Sequence, residues 1–211
     1  MDYKIFVAVI ATSLVIIGFI PYLSDIFANK TKPHLYTWLI GGITQGTATV
    51  ALLEGGGKFA SVSLILGTFF VFIIFLLSFK YGTKDVISSD KIVLAFALLA
   101  VVIWWQLDNP LPSVLMVSAI DGAGYIPTIR KSFKNPWSET LSFWAIMAST
   151  DFLTIVSIAE YNLLTVTYVS VIFTANMLVF FICLFRRRVV ARPRVFEKQK
   201  KRRFLFRVLH K

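Results

Sequence analysis

Cysteine, histidine and acidic residues are all scarce in this chain, and each scarcity closes off a class of function. The single cysteine, Cys183, excludes an intramolecular disulfide, and no spacing of side chains has the form of a metal-ligand set. The two histidines, His34 and His210, fall in segments between or after apolar runs, where solvation in a loop or tail is expected. A paired-histidine motif and an activated serine or cysteine are both lacking, so no enzyme, no metal and no cofactor is expected. The glycine run of Glu54-Gly55-Gly56-Gly57-Lys58 has no following Ser or Thr in a strand–helix context, which rules out a phosphate loop and leaves a tight turn.

Polar sequence is also short. Apolar residues make up 57% of the 211 residues and mean hydropathy is +0.75, so too little polar surface exists to cover so large a core in water. The apolar residues come in seven uncharged runs, at about 5–23, 35–53, 59–79, 92–107, 111–129, 140–158 and 161–185. Each approaches the ~20 residues that a helix needs to cross hydrocarbon. The first run ends in a proline and not at a small-residue cleavage site, so it reads as a retained helix and not a signal peptide.

The net charge of +11 is topological in its placement and is not a nucleic-acid signal. Alternate loops and the C-terminal tail hold 20 of the 22 Lys and Arg residues, with Lys4 and Lys58 the exceptions. Cations gather on the cytoplasmic side, which predicts a multi-pass protein with its N-terminus outside and its C-terminus cytoplasmic. The tail, 186–211, carries 12 of these cations interleaved with Phe196, Phe204, Leu205, Phe206, Val208 and Leu209. A segment of this kind suits an anionic lipid leaflet, and simple orientation by charge remains the blander reading.

The chain is internally duplicated. At an offset of 106 positions, Gly18/Gly124, Ile20/Ile126, Pro21/Pro127, Phe27/Phe133, Asn29/Asn135, Leu35/Leu141 and Trp38/Trp144 are identical without a gap. Seven matches in 21 positions compare with roughly one or two from shared composition. The same offset pairs Thr44/Thr150, Glu54/Glu160, Thr68/Thr174, Phe75/Phe181, Phe79/Phe185 and Lys80/Arg186. Each copy holds three runs, an odd number, so the fourth run restores the orientation of the second copy and acts as a topological spacer. Its Trp104-Trp105 is placed to anchor at an interface.

Within the runs, the prolines and the polar residues carry the information. Pro21 and Pro127 each free one helical carbonyl, which makes either a static kink or a hinge. Pro33 is placed to open the second helix, and Gly41, Gly42 and Gly46 in that run would allow close helix approach. Asp121 and Asp151 lie near the centres of their runs, where an ionised Asp costs about 2.5–3.5 kcal/mol, so both should face a cavity or partner. Gln45, at the position duplicating Asp151, and Asn176 fall at the same depth. Trp38 and Gln45 are seven residues apart, as are Trp144 and Asp151, so each Trp shares a helix face with its polar partner. Ser118, Asp121, Gly122 and Tyr125 likewise form one stripe. A chamber between the copies, polar at mid-depth and aromatic toward the cytoplasm, would suit a small polar solute. Interfacial belting is the alternative for the Trp pair, and interhelical hydrogen bonding is the alternative for Gln45 and Asn176. Two adjacent aspartates would share a proton, a route to proton coupling.

Gly-x-Ile-Pro followed by a short basic loop and a new helix, twice, in a seven-span chain resembles the SWEET and PQ-loop (MtN3-like) transporter superfamily. The resemblance implies two parallel three-helix bundles joined by an inversion helix and rocking about the prolines. Gly18, Pro21, Gly124 and Pro127 are then hinge residues, and Asn176 falls where the family places a pocket Asn. Here Pro21-Tyr22 and Pro127-Thr128 stand where the family has Pro-Gln, and Phe70 duplicates Asn176. The expectation is an all-α membrane protein of seven transmembrane helices in a 3+1+3 arrangement. It divides into a first repeat (1–80), loop and linker helix (81–110), second repeat (111–185) and basic cytoplasmic tail (186–211). Its expected function is alternating-access transport of a small polar solute, sugar by resemblance, through a site of Trp38, Gln45, Asp121, Trp144, Asp151 and Asn176. Proton-coupled transport of an amino acid or other metabolite, and a non-transporting receptor or scaffold acting through its tail, are the alternatives. A homo-oligomer is left open.

Overall fold

A computed structural model describes residues 2–83, 87–106 and 110–192. All regular elements among them are helical: α1 (Asp2–Phe27), α2 (Leu35–Glu54), α3 (Ala60–Tyr81), α4 (Ser88–Gln106), α5 (Pro110–Gly124), α6 (Ile126–Lys134), a 3-10 turn at Pro136–Ser138, α7 (Leu141–Ser157) and α8 (Leu163–Val189). Three helices are long and apolar enough to cross a membrane, over Tyr3–Phe27, Ala60–Tyr81 and Leu163–Val189, and α7 is a shorter apolar helix. Large apolar side chains stand exposed along their outer faces, among them Phe6, Ile17, Phe69, Phe72, Phe79 and Phe181. That is the reverse of a water-soluble surface and fits one turned to lipid.

The helices close into a ring. α3 packs between α1 and α2, and α8 packs between α5 and α7; α1 then meets α7 and α2 meets α5. α4 stands outside this ring, against α5 and α2. Contacts across the ring recur with their partners exchanged. A Cβ on Gly18 would meet Ile146, and one on its duplicate Gly124 would meet Ile40, the duplicate of Ile146. Thr128 donates to Thr37 at 3.0 Å, and the duplicate pair, Tyr22 and Phe143, meet as tilted rings with centroids 4.3 Å apart. Exchange of residue i on j for j on i is the signature of a two-fold relation.

Several expectations change here. α1 runs unbroken through Pro21, whereas the second copy breaks at Tyr125, so Pro127 sits in the first turn of α6, where no intrahelical N–H bond is lost. α2 begins at Leu35, capped by His34, two residues beyond Pro33. Gly41, Gly42 and Gly46 have only ordinary contact distances around them. Among glycines within helices, the approaches under 3.0 Å belong to Gly18 and Gly124, and to Gly67, where a Cβ would lie 2.7 Å from Gln45 Nε2. The 54–58 turn uses Gly56 at φ +86, a left-handed value that glycine adopts without strain. α8 opens on a capping box in which Asn162 and Thr165 exchange hydrogen bonds, both at 3.0 Å. Such a box contributes about 1 kcal/mol. α8 runs on to Val189, so the first cations of the expected tail are helical, and Arg186 and Arg187 donate to the backbone carbonyls of Phe133, Pro136 and Glu139. Residues 193–211, with His210 and the rest of the tail, and Lys84 to Val86 lie outside the described residues, as do the side chains of Trp104 and Trp105.

Candidate functional site

A cavity of about 70 Å³ lies inside the ring, lined from α1, α2, α3, α5, α7 and α8 and, among the described residues, by none of α4. Two larger hollows, about 430 and 390 Å³, are shallow apolar grooves on the outer faces of α7–α8 and α5–α8. Of these three, the central cavity gathers ionisable and amide groups, and the residues expected from sequence, Trp38, Gln45, Asp121, Trp144, Asp151 and Asn176, all line it.

Each carboxylate is held by one strong donor. Tyr168 Oη donates to Asp121 Oδ2 at 2.6 Å, and Asn176 Nδ2 donates to Asp151 Oδ2 at 2.6 Å. Tyr125 Oη then donates to Asn176 Oδ1 at 3.1 Å, which ties the break between α5 and α6 to the Asp151 pair. Both bonds are short, so these donors fix the two carboxyl groups as rigid features of the wall. The second oxygen of Asp121 faces α2, 3.7 Å from the Cβ that Gly41 lacks. Gln45 donates to the Leu64 carbonyl at 3.4 Å. The Thr150 hydroxyl, on a residue only 4% exposed, lines the cavity with no hydrogen-bond partner.

Trp38 and Trp144 are 6% and 2% exposed, so they form an inner layer and not an interfacial belt. Tyr22, Trp38, Phe143 and Trp144 pack against one another in tilted and edge-on contacts across the ring, between the cavity and the loops at 28–34 and 135–140. The stripe expected on the fifth span divides. Asp121 and Tyr125 face the cavity, Ser118 is buried and bonded to the Val114 carbonyl, and Gly122 packs against Val171 in an outer groove.

Both ends of the cavity are bridged by contacts between the duplicated parts. At the loop end, Thr140 Oγ1 donates to Asp25 at 3.1 Å and pairs with Thr31 at 2.5 Å, and Lys131 bonds both Glu139 and the Lys32 carbonyl. Glu139 also accepts from Trp144 Nε1 at 3.0 Å, which joins this polar layer to the aromatic one. At the opposite end, Lys4 donates to the Ile158 carbonyl at 2.6 Å, Asn162 to the Gly55 carbonyl at 3.1 Å, and Ser63 pairs with Thr154 at 3.0 Å.

Sequence reasoning missed three parts of this. Tyr168 was not singled out, although its eight-residue spacing from Asn176 places both on one face of α8. The Lys131–Glu139 pair was read only as loop charge. His34, expected in solvent, is 1% exposed, with Nε2 3.5 Å from the equally buried Asp90, which also pairs with Arg130 at 3.2 Å. Asp90 belongs to the first turn of α4 and not to an open loop, and there it accepts from the Ile87 N–H.

Comparison with protein-family models, with curated proteins and with solved structures finds no match to this chain.

Proposed function

We propose that this chain is a seven-span membrane transporter of SWEET-like 3+1+3 organisation, moving a small polar solute by alternating access. In this reading α1–α3 and α5–α8 are two parallel three-helix bundles, α5 and α6 being one broken span, and α4 is the linker. The exchanged contacts across the ring support that division. The observation that carries the function is the cavity itself, walled by acid and amide groups from both bundles and bridged at both ends by contacts that separation of the bundles would break. The loop end, rich in cations, is taken as cytoplasmic.

A sugar is the solute that the family resemblance implies. Asp121 and Asp151 favour a second reading, a proton-coupled carrier of an amino acid or similar metabolite. The receptor or scaffold alternative rests on the tail, whose removal after Arg188 would leave flux intact in a transporter.

The test begins with a thermal-shift panel of sugars, amino acids and vitamins on the purified protein, followed by uptake of each stabilising compound into proteoliposomes. Saturable uptake that Asp151→Asn abolishes or uncouples, in a variant that still folds, is the expected result. Absence of saturable uptake for every stabilising compound would overturn the transport reading, and unchanged uptake in Asp151→Asn would remove that residue from the mechanism.

A further inference from the structure

Resting on the transport reading, we infer that the solute this cavity takes is a small organic cation, an ammonium or guanidinium group, and not a sugar. The argument is a count of donors, acceptors and charge. Tyr168 spends its single proton on Asp121, and Tyr125 spends its own on Asn176. Asn176 donates to Asp151, and Gln45 to the Leu64 carbonyl. Thr44 shares its hydroxyl proton between Asp121 and the Ile40 carbonyl, the latter at 2.9 Å, and Thr154 gives its own to the Thr150 carbonyl at 2.9 Å. One further proton remains on each amide nitrogen. The partnerless Thr150 hydroxyl adds one more proton, and against these stand the second oxygens of both carboxyl groups, the Gln45 carbonyl oxygen and the Thr150 oxygen, whose lone pairs outnumber the protons left.

The hollow is therefore acceptor-rich, and no Lys, Arg or His lines it. A sugar brings donors and acceptors in near-equal number and would leave two buried carboxylates without compensating charge. Buried carboxyl groups take up a proton or pair with a positive charge, and a cationic ligand supplies that charge where no side chain does. The aromatic side chains of Trp38, Tyr125, Phe143 and Trp144 line the same space and present ring faces that attract cations. Size agrees. A cavity of about 70 Å³ matches about two waters at ~30 Å³ of liquid volume each, the scale of a guanidinium ion.

Urea is the neutral counterpart of guanidinium in shape, so the pair separates charge from fit. Equilibrium dialysis of the purified full chain in detergent, at millimolar ligand, would measure binding of labelled guanidinium, urea and glucose. We expect guanidinium to bind at least about tenfold more tightly than urea, with Asp121→Asn and Asp151→Asn each weakening guanidinium by about tenfold and leaving urea unchanged. The comparison on the unaltered protein decides the matter even if a variant fails to fold. Urea or glucose binding as tightly as guanidinium would overturn the inference. Flux into proteoliposomes keeps the two ideas apart. Guanidinium binding without flux upholds the cation site and removes the transport reading, and saturable glucose flux with no guanidinium binding does the reverse. Silence in both assays removes both.

Discussion

The duplicated parts of this chain share a frame and differ in what they bring to the cavity. At paired positions the first copy contributes Val15, Phe19 and Gln45 where the second contributes Asp121, Tyr125 and Asp151. Phe70 of the first copy, stacked on Phe19 with centroids 4.6 Å apart, stands where the second has Asn176. The first copy is thus an apolar and amide wall, and the second holds both carboxylates and most of their donors. The loops differ in the same way. In the second copy a buried pair, Lys131–Glu139 at 8% and 1% side-chain exposure, pins the loop; in the first, Lys30–Asp25 is 22% and 29% exposed. Duplication has kept the contacts that form the ring and freed one copy to specialise chemically.

The largest expected effect separates those two ion pairs. Glu139→Gln leaves Lys131 buried without its counter-charge, and breaking a buried pair on one side costs about 3–5 kcal/mol. Lys30→Ala breaks a half-exposed pair worth at most about 1 kcal/mol. Thermal or chemical unfolding in detergent measures both. Equal losses would mean that the two loops are held alike. Next comes the cavity wall. Asp151→Gln installs the first copy's residue in the second and should weaken guanidinium binding by about ten- to a hundredfold, as loss of a hydrogen bond to a charged group does. Gln45→Ala, on the opposite wall, should change it less than about threefold. A larger effect at Gln45 than at Asp151 would place the recognition surface in the wrong copy.

How much of this was legible beforehand follows from which physical signals are local. Apolar runs marked most helices to within a few residues, because length and lack of charge are read along the chain, although the run at 111–129 hid the break at Tyr125; the 106-residue offset was visible in its matching Gly, Pro and Trp residues. Asp121, Asp151, Gln45 and Asn176 stood out because a polar group in an apolar run is costly wherever the chain folds. Tyr168 did not stand out. A tyrosine is unremarkable in such a run, and its duplicate Val62 faces outward, half exposed, so the repeat offered no guide. His34 and Glu139 were misplaced for the opposite reason. Loop residues are expected in solvent, and only tertiary packing brings Asp90 and Lys131 against them. The two glycines that matter for packing were read as parts of a hinge, since a clash with Ile40 or Ile146 is invisible until the ring closes.

Those glycines give the third test. A Cβ on Gly124 would sit 2.8 Å from Ile40 Cγ2 and 3.3 Å from its Cβ, and Ile40 is fully buried and stiff at χ1. Gly124→Ala should cost about 1–3 kcal/mol by overpacking. At Gly18 the terminal methyl of Met147 can swing aside, and Ile146, whose Cγ2 would lie 2.9 Å away, is only partly buried and has more room to shift than Ile40, so Gly18→Ala should cost less than Gly124→Ala. Melting temperatures in detergent compare the two, and equal shifts would show that the exchanged contacts are equally tight.

The smallest effect should carry opposite signs in the two copies. Pro21 lies within continuous α1, where it removes the N–H that would bond the carbonyl four residues back. Pro21→Ala supplies that donor to a helix already formed around the gap, so stability should rise by about 0.5–1.5 kcal/mol, the net worth of one hydrogen bond. Pro127 occupies the first turn of α6, where the missing N–H is one that a helix start leaves unpaired in any case. Pro127→Ala gains no bond and loses the proline's restraint on the unfolded chain, so stability should fall by about 0.4–1 kcal/mol. A paired melt of the two variants reads the signs directly. If both prolines shift stability the same way, the copies hold them in equivalent backbone settings and the break at Tyr125 is not a distinction between them. If the signs differ, only Pro21 keeps a helix short of a bond that motion between the bundles could exploit, and the joint in the second copy is the break itself, where Tyr125 reaches Asn176 and through it Asp151.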